Sequence, residues 1–309
     1  MEFEEKFIGF VDILGFRKML EAAAVVSNWP LPELMEAVNT FGVLGLKKMV
    51  ESDANVSGQS LSELIELLKN LGSPEDALRY KKSGPIFCPE SRYIQRDLNF
   101  KITQVSDCLL VSSEVSPAGL INLVGYCSTA VLKLLQKGKM CRGYISKGLI
   151  RHTDTSPYPV GPGYEEVHSK EPIVAAFKHE ADERGTPFVE VDSVVCAYAK
   201  ECNDRCVKKM FSRMVKDDGN VTVIFPFQLL SHSFIIGDYH GHKFDPEKER
   251  RSNENVRLSI KELKERVIDL VDKSNPKAVI KAEHYIEMLN AQLAVCDRTD
   301  KVINIFSRR

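Results

Sequence analysis

A chain of 309 residues is long enough for one large domain with an appendage, or for two modest ones. Its hydrophobic content of 43%, charged content of 28% and formal net charge of -1 are ordinary for a globular protein and exclude a whole-chain electrostatic pull toward nucleic acid or a membrane surface. The start, MEFEEKF, is acidic and no apolar run approaches the roughly 20 residues of a membrane span, so a cytoplasmic protein without nucleic-acid or membrane partners is expected.

The run from Phe7 to Val11 has the length and composition of a buried strand and ends in a lone carboxylate, Asp12, before Gly15 and Phe16 break the pattern. A carboxylate buried there without a partner is penalised by several kcal/mol, on the order of the values for uncompensated ions, so the position calls for a cation, a set of donors or exposure. Residues 17–26, 31–50 and 61–71 read as helices with a polar loop before the last, and residues 73–97 read as irregular. FKITQVSDCLLVSSE, residues 100–114, reads as a strand hairpin, and residues 120–138 as the clearest amphipathic helix of the chain, ended by Gly138. A strand over 141–153 follows. Residues 154–170, rich in proline and glycine, read as a long loop, residues 172–185 as a helix, residues 186–192 as extended, residues 194–216 as another helix, and residues 217–227 as a turn and a strand. A charged stretch then leads into two helices, about 256–272 and 276–296.

This order contains the β-α-β-β-α-β arrangement of ferredoxin-like folds, so an α+β architecture is expected: an antiparallel sheet with helices on one face over residues 1–237, followed by a helical tail over 238–309. The eight cysteines are expected to be reduced thiols. Cys202 and Cys206 in CNDRC, with Cys196 and His179 upstream, match no familiar zinc spacing and read as core or surface residues. Asp107, in QVSDCLL, is different. In such a sheet its hairpin lies beside the first strand, and two carboxylates converging there favour a divalent cation, since otherwise their repulsion pushes one pKa up.

These segments resemble class III nucleotidyl cyclases, whose hallmarks are a strand ending F-x-D-I-x-G-F, a hairpin aspartate and a later R-x-G-I-x-x-G strand. Phe10-Val11-Asp12-Ile13-Leu14-Gly15-Phe16 matches the first motif at every defined position, and Asp107 matches the second, with Ser106 where glycine usually precedes it. Arg142-Gly143-Tyr144-Ile145-Ser146-Lys147-Gly148 matches the third, with Tyr144 in place of a glycine. The resemblance implies that Asp12 and Asp107, with the backbone carbonyl of Ile13, hold two magnesium or manganese ions. It implies that the amides of Leu14, Gly15, Phe16 and Arg17 cradle the triphosphate, that Arg142 adds donors to it, and that Lys101 reads the base. It also implies a homodimer whose sites lie at the two-fold interface.

Purine cyclases carry an asparagine and an arginine four apart on a helix, and by position those become Ile173 and Phe177 here, leaving Lys178, His179 or Lys147 as candidate replacements. With Tyr144 narrowing the pocket, the altered pattern and the V-D-I-L-G-F opening are similar to the bacterial pyrimidine cyclases of Pycsar antiphage defence. The expected activity is conversion of UTP or CTP to the cyclic 3′,5′-monophosphate, cyclic UMP or cyclic CMP, which acts on a separate effector protein. A purine cyclase, or a retired cyclase fold that only binds nucleotide or protein, are the alternatives.

Overall fold

The computed structural model describes residues 2–16, 98–153, 158–203, 205–227 and 245–307. The expected helices over 17–26, 31–50 and 61–71, the irregular stretch 73–97, residue Arg17 and the expected boundary between 237 and 238 lie outside the described residues.

Strand β1, Glu4–Ile13, is flanked on both sides in a seven-stranded sheet. Its neighbours are β3, Cys108–Glu114, and β4, Cys141–Ile150. β2, Lys101–Val105, pairs with β3 at one edge. Beyond β4 come β5, Val189–Val191, then β7, Thr222–Ile224, and β6, Val215–Asp217, giving the order β2-β3-β1-β4-β5-β7-β6. Both faces of β1 are buried, which is why its sequence is a continuous apolar run: Phe7, Val11 and Ile13 enter one core, Ile8 and Phe10 another.

One face carries α1, Pro117–Gln136, capped by Ser116, whose hydroxyl accepts from the Gly119 amide. It also carries α3, Ser193–Glu201, and α4, Arg205–Met214, which pack Val195, Ala199, Val207 and Phe211 against Leu123, Val124 and Val131 of α1. α1 has the length and apolar content of a membrane span, contrary to the sequence expectation, but its leucines and valines are spent on this core.

The sheet departs from the expectation in two ways. β4 and β5 run parallel, so the sheet is mixed, and helices cover both faces. The second face carries α2, Pro162–Lys170, within the stretch expected to be a loop. Pro162 is in the first helical turn, where a missing N–H is harmless, so the proline starts this helix. Two glycines let α2 sit low on the sheet: a Cβ on Gly163 would lie 2.4 Å from Ile8 Cδ1, and one on Gly148 would lie 2.9 Å from Gly163 Cα.

Residues 172–185 do not form the expected helix. A 3-10 turn, Glu171–Ile173, gives way to turns in which the backbone amides find partners outside any helical ladder. Ala175 donates to the Glu190 carboxylate (2.7 Å), Phe177 to Asp218 (2.9 Å), and Gly185 and Thr186 both donate to the Val174 carbonyl. The helix expected over 194–216 is likewise two, with the chain leaving helical geometry at Cys202.

The tail forms two long antiparallel helices, α5, Pro246–Leu270, and α6, Pro276–Ser307. α5 begins ahead of the expected start because Asp245 caps it, its carboxylate accepting from the Glu247 and Lys248 amides. The pair packs on its own chain: Ile260, Leu263, Tyr285 and Leu289 share a core with Phe225, Phe227 and Leu135.

Candidate functional site

The register of three strands builds one end of the sheet. Asp12 pairs directly with Cys108 of β3 on one side and Arg142 of β4 on the other, and residues directly opposed in a sheet share a face. Ser106 and Asp107 form the two-residue turn between β2 and β3, beyond the last pair, Val105 and Cys108. Ser106 has φ +54°, a left-handed conformation that favours glycine, and so adopts the backbone that a glycine before the aspartate would supply. The Ile13 amide donates to the Asp107 carbonyl (3.2 Å), tying the turn to the end of β1. The result is a cluster in which donor atoms of Asp12, Asp107 and Cys108 lie within 4.8 Å of one another.

Burial pushes the Asp12 carboxyl up to about 7; the Cys108 thiol, donating to Oδ1 at 3.1 Å, works against this, Asp107 and Glu171 add to it, and Arg142 opposes it. Burial, with Asp12 beside it, pushes the Cys108 thiol far up, so it remains a protonated donor. Asp12 as a carboxylate is therefore under-compensated by the protein alone. A divalent cation between Asp12 and Asp107 would reverse that balance, and the oxygen-rich donor set suits a hard ion such as magnesium or manganese.

Arg142 is not an open fork. Its Nε donates to the Glu171 carboxylate, with side chains only 16% and 7% exposed. The guanidinium runs over Gly185 (φ +70°), where a Cβ would lie 2.5 Å from Nη1. Tyr144, two residues along β4, fills the same face beside Phe10 and Leu110, and its hydroxyl donates to Asp192 at 2.7 Å. The other Asp192 oxygen caps α3 through the Val194 amide.

The remaining expected residues are placed unevenly. The Leu14 amide donates to the Met140 carbonyl at 2.9 Å and is committed there. Gly15 is exposed with φ +81°, the Phe16 ring is buried in the core, and Arg17 lies outside the described residues. Lys101 shares the Asp12 face, but it pairs with Ser112, which pairs with Ile8, four rungs and roughly 13 Å from Asp12 at the rise of a strand. Between them His152 bonds Thr103 and Ser112.

Of the candidate replacements for the missing helix pair, Lys147 opposes Phe7 on the other face and bonds Glu5 at 3.2 Å. Lys178 Nζ donates to the Ala181 carbonyl, and His179 faces Glu287. Ile173 is exposed, and Phe177 packs edge-on to Phe188. Of the residues considered for zinc, Cys196 is buried in the α1 core while His179 lies against α6.

Cys108 and Glu171 are parts of this site that the sequence reading missed. Cys108 could have been found, because a residue following the hairpin aspartate must fall opposite the end of β1. Glu171 had no local signal, since its pairing with Arg142 spans 29 positions and exists only once α2 has crossed the sheet.

No family model and no curated protein matches the chain. Among solved structures, it is similar to the dimeric guanylyl cyclase domain of the RhoGC fusion protein from the aquatic fungus Blastocladiella emersonii. The identity is 11% and the TM-score 0.34, over 72% of this chain and 94% of that one, a likeness too slight to bear on the chemistry.

Proposed function

We propose that the chain is a nucleotidyl cyclase that converts UTP or CTP to the cyclic 3′,5′-monophosphate and pyrophosphate. The observation that carries this reading is the convergence of Asp12 and Asp107 at one sheet end, at two separate motifs of the sequence, with Asp12 poorly compensated as an anion. The sheet order β2-β3-β1-β4, with α1 joining β3 to β4, is also what a β-α-β-β-α-β unit gives.

In this reading Asp12, Asp107 and the Ile13 carbonyl would hold two magnesium or manganese ions, one of which would lower the pKa of the ribose 3′-hydroxyl and the other neutralise the triphosphate. The 3′-oxygen attacks the α-phosphorus and pyrophosphate leaves. Arg142 lies one strand away, on the same face, and its donors not engaged by Glu171 would meet phosphate oxygens. The Gly15 turn, bending sharply at a positive φ, brings the chain past the site. Tyr144 packs beside Phe10 and Leu110 on the Asp12 face, and a base bound on that face would find less room beside it, which supports a one-ring base.

The resemblance to the Pycsar cyclases suggests a cytoplasmic homodimer whose cyclic UMP or cyclic CMP activates a separate effector in antiphage defence. The test is incubation of the purified protein with each of ATP, GTP, CTP and UTP and manganese, with mass spectrometry of the products. A cyclic pyrimidine nucleotide that disappears in Asp12→Ala and Asp107→Ala supports the reading; a cyclic purine nucleotide overturns its substrate half. A second reading, a nucleotide-binding module without turnover, is favoured by the Arg142–Glu171 ion pair and the committed Leu14 amide. It predicts measurable nucleotide binding with no product from any of the four.

A further inference from the structure

A second group of metal-ligating side chains lies away from Asp12, where the tail meets the 174–186 turns. Glu183 Oε1 is 2.7 Å from His284 Nε2, and its other oxygen accepts from the His179 amide at 2.7 Å. The two imidazoles stack with centroids 3.9 Å apart, and His179 Nε2 faces Glu287 Oε2 at 3.2 Å. Donor atoms of His179, Glu183 and His284 all lie within 4.8 Å of one another. His284 and Glu287 sit one turn apart on α6, so both project from one side of that helix.

We propose that His179, Glu183, His284 and Glu287 form a binding site for a borderline divalent transition metal of the zinc type, which fastens α6 to the turns carrying His179. Three observations carry it. The donor set is two imidazoles and two carboxylates, which suits zinc and its neighbours and differs in kind from the hard oxygen pair Asp12 and Asp107. The site is graded in burial: the His284 side chain is fully enclosed and that of Glu183 is 16% exposed, while His179 at 34% and Glu287 at 59% line an open side through which an ion enters. The buried His284 ring, finally, is only half satisfied by protein, since Glu183 takes Nε2 and Nδ1 has no partner. An ion shared with Glu183 would take Nε2, so its coordinate bond would replace the one hydrogen bond that this buried ring makes.

A tetrahedral ion with ligands about 2.1 Å away spaces its donors roughly 3.4 Å apart, so on binding the Glu183–His284 pair, now at 2.7 Å, opens slightly while the wider separations, up to 4.8 Å, close. His179 and Glu287, the exposed members, supply that movement by rotation of their side chains. Although burial works the other way, the hydrogen bonds from His284 and the His179 amide hold the Glu183 carboxyl below its ordinary range, so it is anionic at neutral pH.

The experiment uses the full chain, stripped with chelator and titrated with cobalt(II), whose visible d–d absorption reports low-coordinate nitrogen and oxygen ligation, and with zinc in competition. The expected result is one site of this spectral type, displaced by zinc, retained in an Asp12→Asn/Asp107→Asn double variant, and weakened roughly tenfold or more in His179→Ala and in Glu287→Gln. Zinc should also raise the melting temperature of the wild type and not that of His179→Ala. Both variants alter exposed side chains, so neither depends on His284 to fold. Absence of cobalt binding, or binding lost with the two aspartates and kept in His179→Ala, overturns the proposal and leaves the cyclase reading untouched.

Discussion

Replacing Asp12 by asparagine tests whether the end of β1 is held under electrostatic stress. Burial, with Asp107 and Glu171 adding to it, lifts the Asp12 carboxyl from 3.8 to about 7. At ~1.4 kcal/mol per pH unit the whole shift corresponds to about 4 kcal/mol, and because the group keeps some contact with solvent, about half of that is the expected share. The folded-state pKa lies above the unfolded one. The contribution of Asp12 to stability is therefore complete below about pH 4 and is lost as pH rises through about 7, whereas asparagine does not titrate. In chelator, Asp12→Asn should be nearly as stable as the wild type at about pH 4 and more stable by ~2 kcal/mol at about pH 8. Denaturant unfolding followed by circular dichroism across that range measures it. Magnesium or manganese at a hundredfold excess over its dissociation constant should then raise the wild type by about 2.7 kcal/mol at the upper pH and leave the variant unmoved. Parallel stability profiles for the two proteins would refute the reasoning.

Four further outcomes are expected. Gly143→Ala places a Cβ 2.2 Å from the Phe10 carbonyl oxygen inside the β1–β4 ladder, and should destabilise by about 3 kcal/mol or more, read as a fall in melting temperature. Ser106→Gly relieves a left-handed serine and should stabilise by about 0.5–1 kcal/mol, visible as a shift in denaturant midpoint without a change in slope. Glu171→Gln removes the charged partner of Arg142 and should destabilise by about 2 kcal/mol; in the cyclase reading it also frees the guanidinium, lowering KM for the nucleotide, and an unchanged KM would count against a phosphate role for Arg142. Deletion of residues 245–309 uncovers Phe225 and Phe227, both about 1% exposed in the whole chain, and should yield an aggregating product on size-exclusion chromatography.

The legible parts of the sequence were those in which local pattern and final environment agree. The run from Phe7 to Val11 is apolar because both faces of β1 are covered, and QVSDCLL turns where Ser106 and Asp107 interrupt two strands. The nearness of Asp12 to Asp107 was legible from those two elements alone. The stretch from 158 to 186 was misread because its structure depends on partners far along the chain: α2 needs the Gly148 and Gly163 approach, and the turns after Ile173 are held by Glu190 and Asp218. Arg142 could be singled out in the sequence, but its ion pair could not, because Glu171 reaches it only across the finished sheet.

Every residue of β1 from Lys6 to Asp12 is paired with β3, and every one from Glu4 to Ile13 with β4. A strand clasped on both sides moves in steps of one residue or not at all, and one step would turn its whole side-chain set to the opposite face. The alignment of Asp12 with Asp107 is in this sense a digital quantity, fixed by counting rungs and indifferent to small changes in the volume of the packing around it. The surrounding core is thus free to diverge by isosteric exchange while the two carboxylates keep their meeting point, whereas an inserted or deleted residue in β1, in β3 or in the Ser106–Asp107 turn would part them.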